Sequence, residues 1–142
     1  MGGRGASLGG TYVWRGRTYE YGDEYKSALK HNPPGNIKFI VKKEGATTAP
    51  METRTKGRIY VTVDNTRDLK YITFYDKNNK RYKQIDLKGK LHMVDGKKIL
   101  PHVHHGYVHD ENGTTTPSKA DKKIIDLVYK IWDNELKKQA IS

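Results

Sequence analysis

The last quarter of the chain constrains the fold most. Ser118 is followed three residues later by Asp121, the spacing at which a hydroxyl and a carboxylate reciprocally satisfy the free N–H groups of a helix start. Beyond it Ile124, Ile125, Leu127, Val128, Ile131, Trp132 and Leu136 recur with the 3.6-residue period. The pattern predicts an amphipathic helix from about Ser118 to Lys138, with Trp132 and Ile125 buried and Lys122, Lys130 and Lys137 in solvent. A stripe of this length has to cover another apolar surface, and the rest of the chain offers strands.

Ile37 to Val41 is a run of β-formers, and Arg58 to Val63 alternates so that Ile59, Val61 and Val63 share a face. Leu69 to Tyr75 follows through Asp64 to Asp68, and Lys77-Asn78-Asn79 leads by a tight connection into Arg81 to Leu87. Short polar connections between alternating strands predict an antiparallel meander. Towards the N-terminus, Tyr12 to Trp14 and Tyr19 to Tyr21 flank Arg15-Gly16-Arg17 as a short hairpin. Asp23 to Lys30 reads as a helical turn or two, stopped by His31-Asn32-Pro33-Pro34-Gly35 because proline cannot continue a helix. Lys88 to Lys98, with Gly89 and Gly96, reads as a basic loop.

These elements add up to one α+β domain over residues 11–142. It consists of an antiparallel β-meander of about five strands, a long C-terminal amphipathic helix packed on one face, and residues 1–10 as a flexible Gly-rich tail. The uncovered sheet face is expected to carry Lys, Arg, Tyr and His, open to a ligand. A length of 142 residues suits a single core.

Cysteine is absent, which excludes a disulfide framework, a thiolate zinc site and a thiol nucleophile, and leaves the redox compartment open. No apolar run approaches the roughly 20 residues that span a bilayer, and the N-terminus lacks the apolar segment of a secretory signal. The chain reads as soluble, with no membrane partner. Its 27 Lys and Arg against 16 Asp and Glu leave a net charge of +11, so the natural partner is a polyanion. Ten tyrosines among these cations suit base stacking beside phosphate neutralisation, although tyrosine is also an ordinary strand former. Lys80, Arg81, Lys83, Lys88, Lys90 and Tyr107 are the candidate nucleic-acid contacts.

Chemistry concentrates between Pro101 and His109, where four of the six histidines stand. On a strand, His102 and His104 share a face. One reading is an H-x-H metal pair completed by His92, Asp95 or His109. A second is metal-independent acid–base catalysis on RNA, in which one imidazole deprotonates a 2′-hydroxyl, another group protonates the leaving oxygen, and Lys or Arg stabilises the phosphorane. A third is purely structural, the histidines pairing with Asp86, Asp110 or Glu111. The second reading nominates His102, His104, His105 and His92, and needs no cofactor. A phosphate-binding G-x-x-x-x-G-K-[ST] loop, a G-x-S-x-G elbow and an H-E-x-x-H helix are all missing from the sequence. Thr53, Thr55, Thr62 and Tyr107 are candidates to assist a nuclease site or simply to pack.

Gly3 to Ser7, Arg58 to Val61, Asn79 to Leu87 and Pro101 to Tyr107 together resemble small domains encoded by phages of Gram-positive bacteria. Such domains stand at the C-terminal ends of minor head (head-morphogenesis) proteins or as separate reading frames. Effectors in that position are often toxins, and a small meander with a helix on one face is similar to the barnase, EndoU and RelE-like ribonucleases. The resemblance implies a ribonuclease toxin acting in the bacterial cytoplasm, with an acidic antidote protein as a partner. It equally admits a non-enzymatic phage protein. That protein would be a head-associated nucleic-acid-binding component of the phage particle, or an anti-CRISPR-like inhibitor of a host defence nucleoprotein complex.

Overall fold

A computed structural model of the chain describes residues 11–14, 17–20, 24–29, 35–53, 55–87, 93–94, 97–98, 101–107 and 112–141. The fold is α+β. In chain order the elements are β1 (Thr11–Trp14), β2 (Arg17–Glu20), β3 (Tyr25–Ser27), β4 (Ile37–Lys42), β5 (Ile59–Val63), β6 (Leu69–Tyr75) and β7 (Arg81–Asp86). β8 (Met93–Val94), β9 (Lys97–Lys98), β10 (His102–His105), β11 (Thr114–Thr115) and α1 (Lys119–Ile141) follow. The expected tail at residues 1–10 lies outside the described residues.

Seven strands form one sheet in the order β11-β10-β7-β6-β5-β4-β3. It is mixed, because β4 pairs with β5 in parallel while every other neighbouring pair is antiparallel. The expected five-stranded antiparallel meander holds in part: β5, β6, β7 and β10 follow one another antiparallel, with β11 beyond, while β4 joins β5 in parallel and β3 adds a further strand. A parallel pair cannot be joined by a hairpin, so residues 43–58 form a long crossover. The helical turn expected within Asp23 to Lys30 is also overturned. Tyr25–Ser27 pairs with β4, and burial of the Tyr25 ring with Ile40, Tyr60 and Tyr75 outweighs local propensity. The N-terminal hairpin is present as β1 paired with β2, and the basic segment after β7 contains the two-residue ribbon β8–β9.

The two hairpin turns that close the meander share one device. Asp64 and Asp76 each turn a carboxylate onto N–H groups two and four residues ahead, and Arg67 and Asn79 take up left-handed backbone with φ of 67° and 64°.

Side chains alternate along each strand, which gives the sheet two different faces. Phe39, Val61, Ile72, Ile85 and Val103 lie on one, fully buried, and α1 covers them with Val128 and Trp132. Trp132 stacks on Phe39 at 5.6 Å, while the Arg67 guanidinium lies 5.0 Å from the indole and donates to the Ala28 carbonyl. Lys122, Lys130 and Lys137 are exposed as expected. The stripe is narrower than the periodicity suggested: Ile125 is only half-buried, and Leu127 and Leu136 are exposed.

The helix starts as its sequence dictates. The Ser118 N–H donates to the Asp121 carboxylate, and the Asp121 N–H donates to Ser118 Oγ. The same carboxylate forms an ion pair with Lys83 of β7. Burial pushes the Asp121 carboxyl upward, but the Lys83 and Ser118 hydrogen bonds outweigh it and hold the group below the usual carboxylate range.

Candidate functional site

The face away from α1 was expected to be open. Half of it is not, because the crossover lies over it. Tyr25, Ile40, Tyr60 and Tyr75 form a second buried cluster there, with Ala49 and Pro50 buried among the crossover residues. The Tyr25 and Tyr75 hydroxyls donate to the carbonyls of Thr48 and Pro50 at 2.9 and 2.6 Å. Burial and the neighbouring Tyr60 and Tyr25 push the Tyr75 hydroxyl well above its ordinary pKa.

Beyond this cover, towards β10, the same face turns polar. Val103 is fully buried in the helix-facing core, so His102 and His104 project to the opposite side. His102 stands across from Asp86 and His104 across from Gln84. The His104 ring is set between two neighbours: Nε2 lies 4.0 Å from Asp86 Oδ2, and Nδ1 lies 3.3 Å from Thr114 Oγ1 on β11. Its side chain is 16% exposed, enough to meet a ligand from one side.

Two of the nominated histidines are thus brought together, and a third is separated from them. His105 falls on the helix-facing side of the sheet, across from Lys83, with Nε2 2.9 Å from Thr115 Oγ1. Grouping it with His102 and His104 is corrected, since one residue of displacement along a strand changes the face. His92, Lys88 and Lys90 lie outside the described residues, as do His109 and Asp95. Among the described residues, no group of three or more His, Cys, Asp or Glu is placed to hold a metal ion.

The nominated cations divide as well. Lys83 points into the helix side, where its ammonium pairs with Asp121 and lies 5.0 Å from the Phe74 ring. Arg81 is on the histidine side, yet Nε and Nη2 donate to the Tyr107 carbonyl at 3.2 and 2.7 Å and Nη1 to Gln84 Oε1 at 3.3 Å. Gln84 also accepts from Thr73, so Arg81 braces the strand that faces His104. Lys80 is exposed, 5.7 Å from the Tyr107 ring, and the Tyr107 hydroxyl donates to Glu52 at 2.9 Å. Thr53 and Thr55 bond to each other within the crossover, and Thr62 is fully buried.

Sequence reasoning weighed Asp86 only as a structural partner and passed over Gln84, Thr114, Lys70 and Tyr71. Period-two alternation through β7 and β10, taken with their register, is the signal that collects Asp86, His102 and His104 on one face.

Among the described residues no helix is long and apolar enough to cross a membrane. No protein-family model matches the chain, and neither a curated protein nor a solved structure matches it.

Proposed function

We propose that this domain acts on RNA as a metal-independent ribonuclease, with His102 and His104 as its acid–base pair. The observation that carries the reading is the shared face: two histidines whose side chains leave one strand about 7 Å apart at the backbone, with the Asp86 carboxylate on the neighbouring strand. That spacing lets two imidazoles flank a phosphodiester. A 2′-hydroxyl that takes the place of the Thr114 hydroxyl at His104 Nδ1 has a base in front of it and, at the far nitrogen, a carboxylate that orients the ring and offsets its positive charge. The 2′-oxygen forms its bond to phosphorus, the 5′-oxygen leaves with a proton from His102, and the products are a 2′,3′-cyclic phosphate and a 5′-hydroxyl end. The net charge of +11 favours a polyanionic substrate.

A second reading is a non-enzymatic phage protein that binds nucleic acid or a nucleoprotein complex. It draws on the engagement of Arg81 and Lys83 by protein groups, which removes two cations from phosphate stabilisation. Incubation of the purified domain with RNA separates the two. Cleavage that persists in a chelator and disappears in His102→Ala and His104→Ala supports the ribonuclease; RNA bound but left intact by the parent chain leaves the binding protein.

A further inference from the structure

Beside the histidine pair the strand β6 breaks its own alternation. Thr62 of β5 stands across from Tyr71 but Val63 stands across from Leu69, so Lys70 is the extra residue of a bulge. Consecutive residues of a regular strand point to opposite faces. The bulge cancels that rule, and the Lys70 ammonium comes to lie 5.2 Å from the Tyr71 ring centroid and donates to the Thr47 carbonyl of the crossover at 3.3 Å. Both side chains are half-buried, unlike Tyr25, Tyr60 and Tyr75 under the crossover. Register then places Tyr71, Asp86 and His102 in one row across three strands, Tyr71 about 10 Å from His102.

We infer that Lys70 and Tyr71 form a nucleotide subsite for single-stranded RNA, one step along the substrate from the histidine pair. The inference rests on the ribonuclease reading and names the substrate class of that site. An ammonium has three donors, and the bond to Thr47 uses one, which leaves two for a phosphate. The tyrosine ring supplies a stacking surface that any base can use, provided the base is not already stacked in a duplex. Asp86, between the two positions, repels phosphate from the middle of the row and turns its carboxylate to His104. Phosphates are therefore directed to the two ends, one at Lys70 and one at the histidines.

The test measures binding of a short 2′-O-methyl oligonucleotide, which cannot be cleaved through its 2′-oxygen, to the full chain by fluorescence anisotropy, alone and as a duplex. The expected result is preference for the single strand, retained in Tyr71→Phe and weakened about 5- to 150-fold in Tyr71→Leu. Lys70→Gln should reduce the log–log salt slope by about 0.7. Tyr71→Leu binding as tightly as Tyr71→Phe, while the parent still cleaves RNA, overturns the subsite and leaves the histidine reading in place. Should Tyr71→Leu fail to fold, an unchanged salt slope in Lys70→Gln overturns it. A parent chain that neither binds nor cleaves RNA overturns both.

Discussion

Lys83 of β7 and Asp121 in the first turn of α1 form an ion pair that fastens the sheet to the start of the helix, at the carboxylate that also caps it. One side chain thus holds two kinds of contact, tertiary and local. Lys83→Ala leaves a carboxylate that is 7% exposed without its cation and should cost about 2 kcal/mol, less than a fully buried pair because Lys83 itself is 21% exposed. Since the folded pKa of Asp121 is lowered, its contribution is complete above the unfolded carboxylate range near 4 and is lost as pH falls through the folded value. Urea unfolding at pH 2 to 6 should show a steeper acid loss in the parent than in Asp121→Asn.

Val128 is fully inaccessible and lies between the helix and the sheet. Val128→Asp should prevent folding, because an unpaired charge would replace an aliphatic side chain in a closed core. Trp132→Ala should cost about 3–5 kcal/mol, as it removes the ring that stacks on Phe39 and receives Arg67. Far-ultraviolet circular dichroism and thermal melts distinguish these outcomes; parent-like melting of Val128→Asp would contradict the packing described.

The Tyr75 hydroxyl reports on the crossover. Tyr75→Phe leaves the Pro50 carbonyl without its donor and should destabilise by about 1–3 kcal/mol. A pKa raised on folding gives stability that is complete below the unfolded tyrosine value near 10 and is lost as pH rises through the folded one. Alkaline unfolding of the parent should therefore have a Tyr75 component that Tyr75→Phe lacks, read from phenolate absorbance against pH.

For the proposed catalysis, His102→Ala and His104→Ala should each lower RNA cleavage by about 10²- to 10⁴-fold, and Asp86→Asn should lower it as well, since the carboxylate at Nε2 holds the tautomer that leaves His104 Nδ1 free to accept the proton. His105→Ala should cleave like the parent, because its ring is on the other side of the sheet.

Salt dependence should separate the cations by where they point. Lys80→Ala is expected to reduce the log–log slope of RNA binding by about 0.7 per lost phosphate contact, whereas Lys83→Met should leave the slope unchanged. Equal slopes for the two variants would place the binding surface elsewhere.

What the sequence disclosed follows the range of the interactions involved. The capping box of Ser118 and Asp121 was legible because both partners lie within one turn, and Ile59, Val61 and Val63 declared their face by alternation alone. The parallel pairing of β4 with β5 was not legible, since Ile37 to Val41 carries no local mark of the direction of its neighbour. Tyr25 was misread as helical because its reason to be extended is a hydroxyl acceptor 23 residues away, at Thr48. Alternation already set His105 apart from His102 and His104, whereas Asp86 could join them only once register was known. The Lys70 bulge depends on the pairing of two strands and leaves no trace in either one.

The crossover of residues 43–58 also bears on how the chain reaches this state. Hairpins β5–β6 and β6–β7 can zip together from short turns, but β4 must travel to the far side of β5 with its connecting segment slack, and only then do the Thr48 and Pro50 carbonyls meet Tyr25 and Tyr75. Contacts of such long sequence separation are entropically expensive to nucleate. The tyrosine cluster therefore stays in water until this strap closes over it.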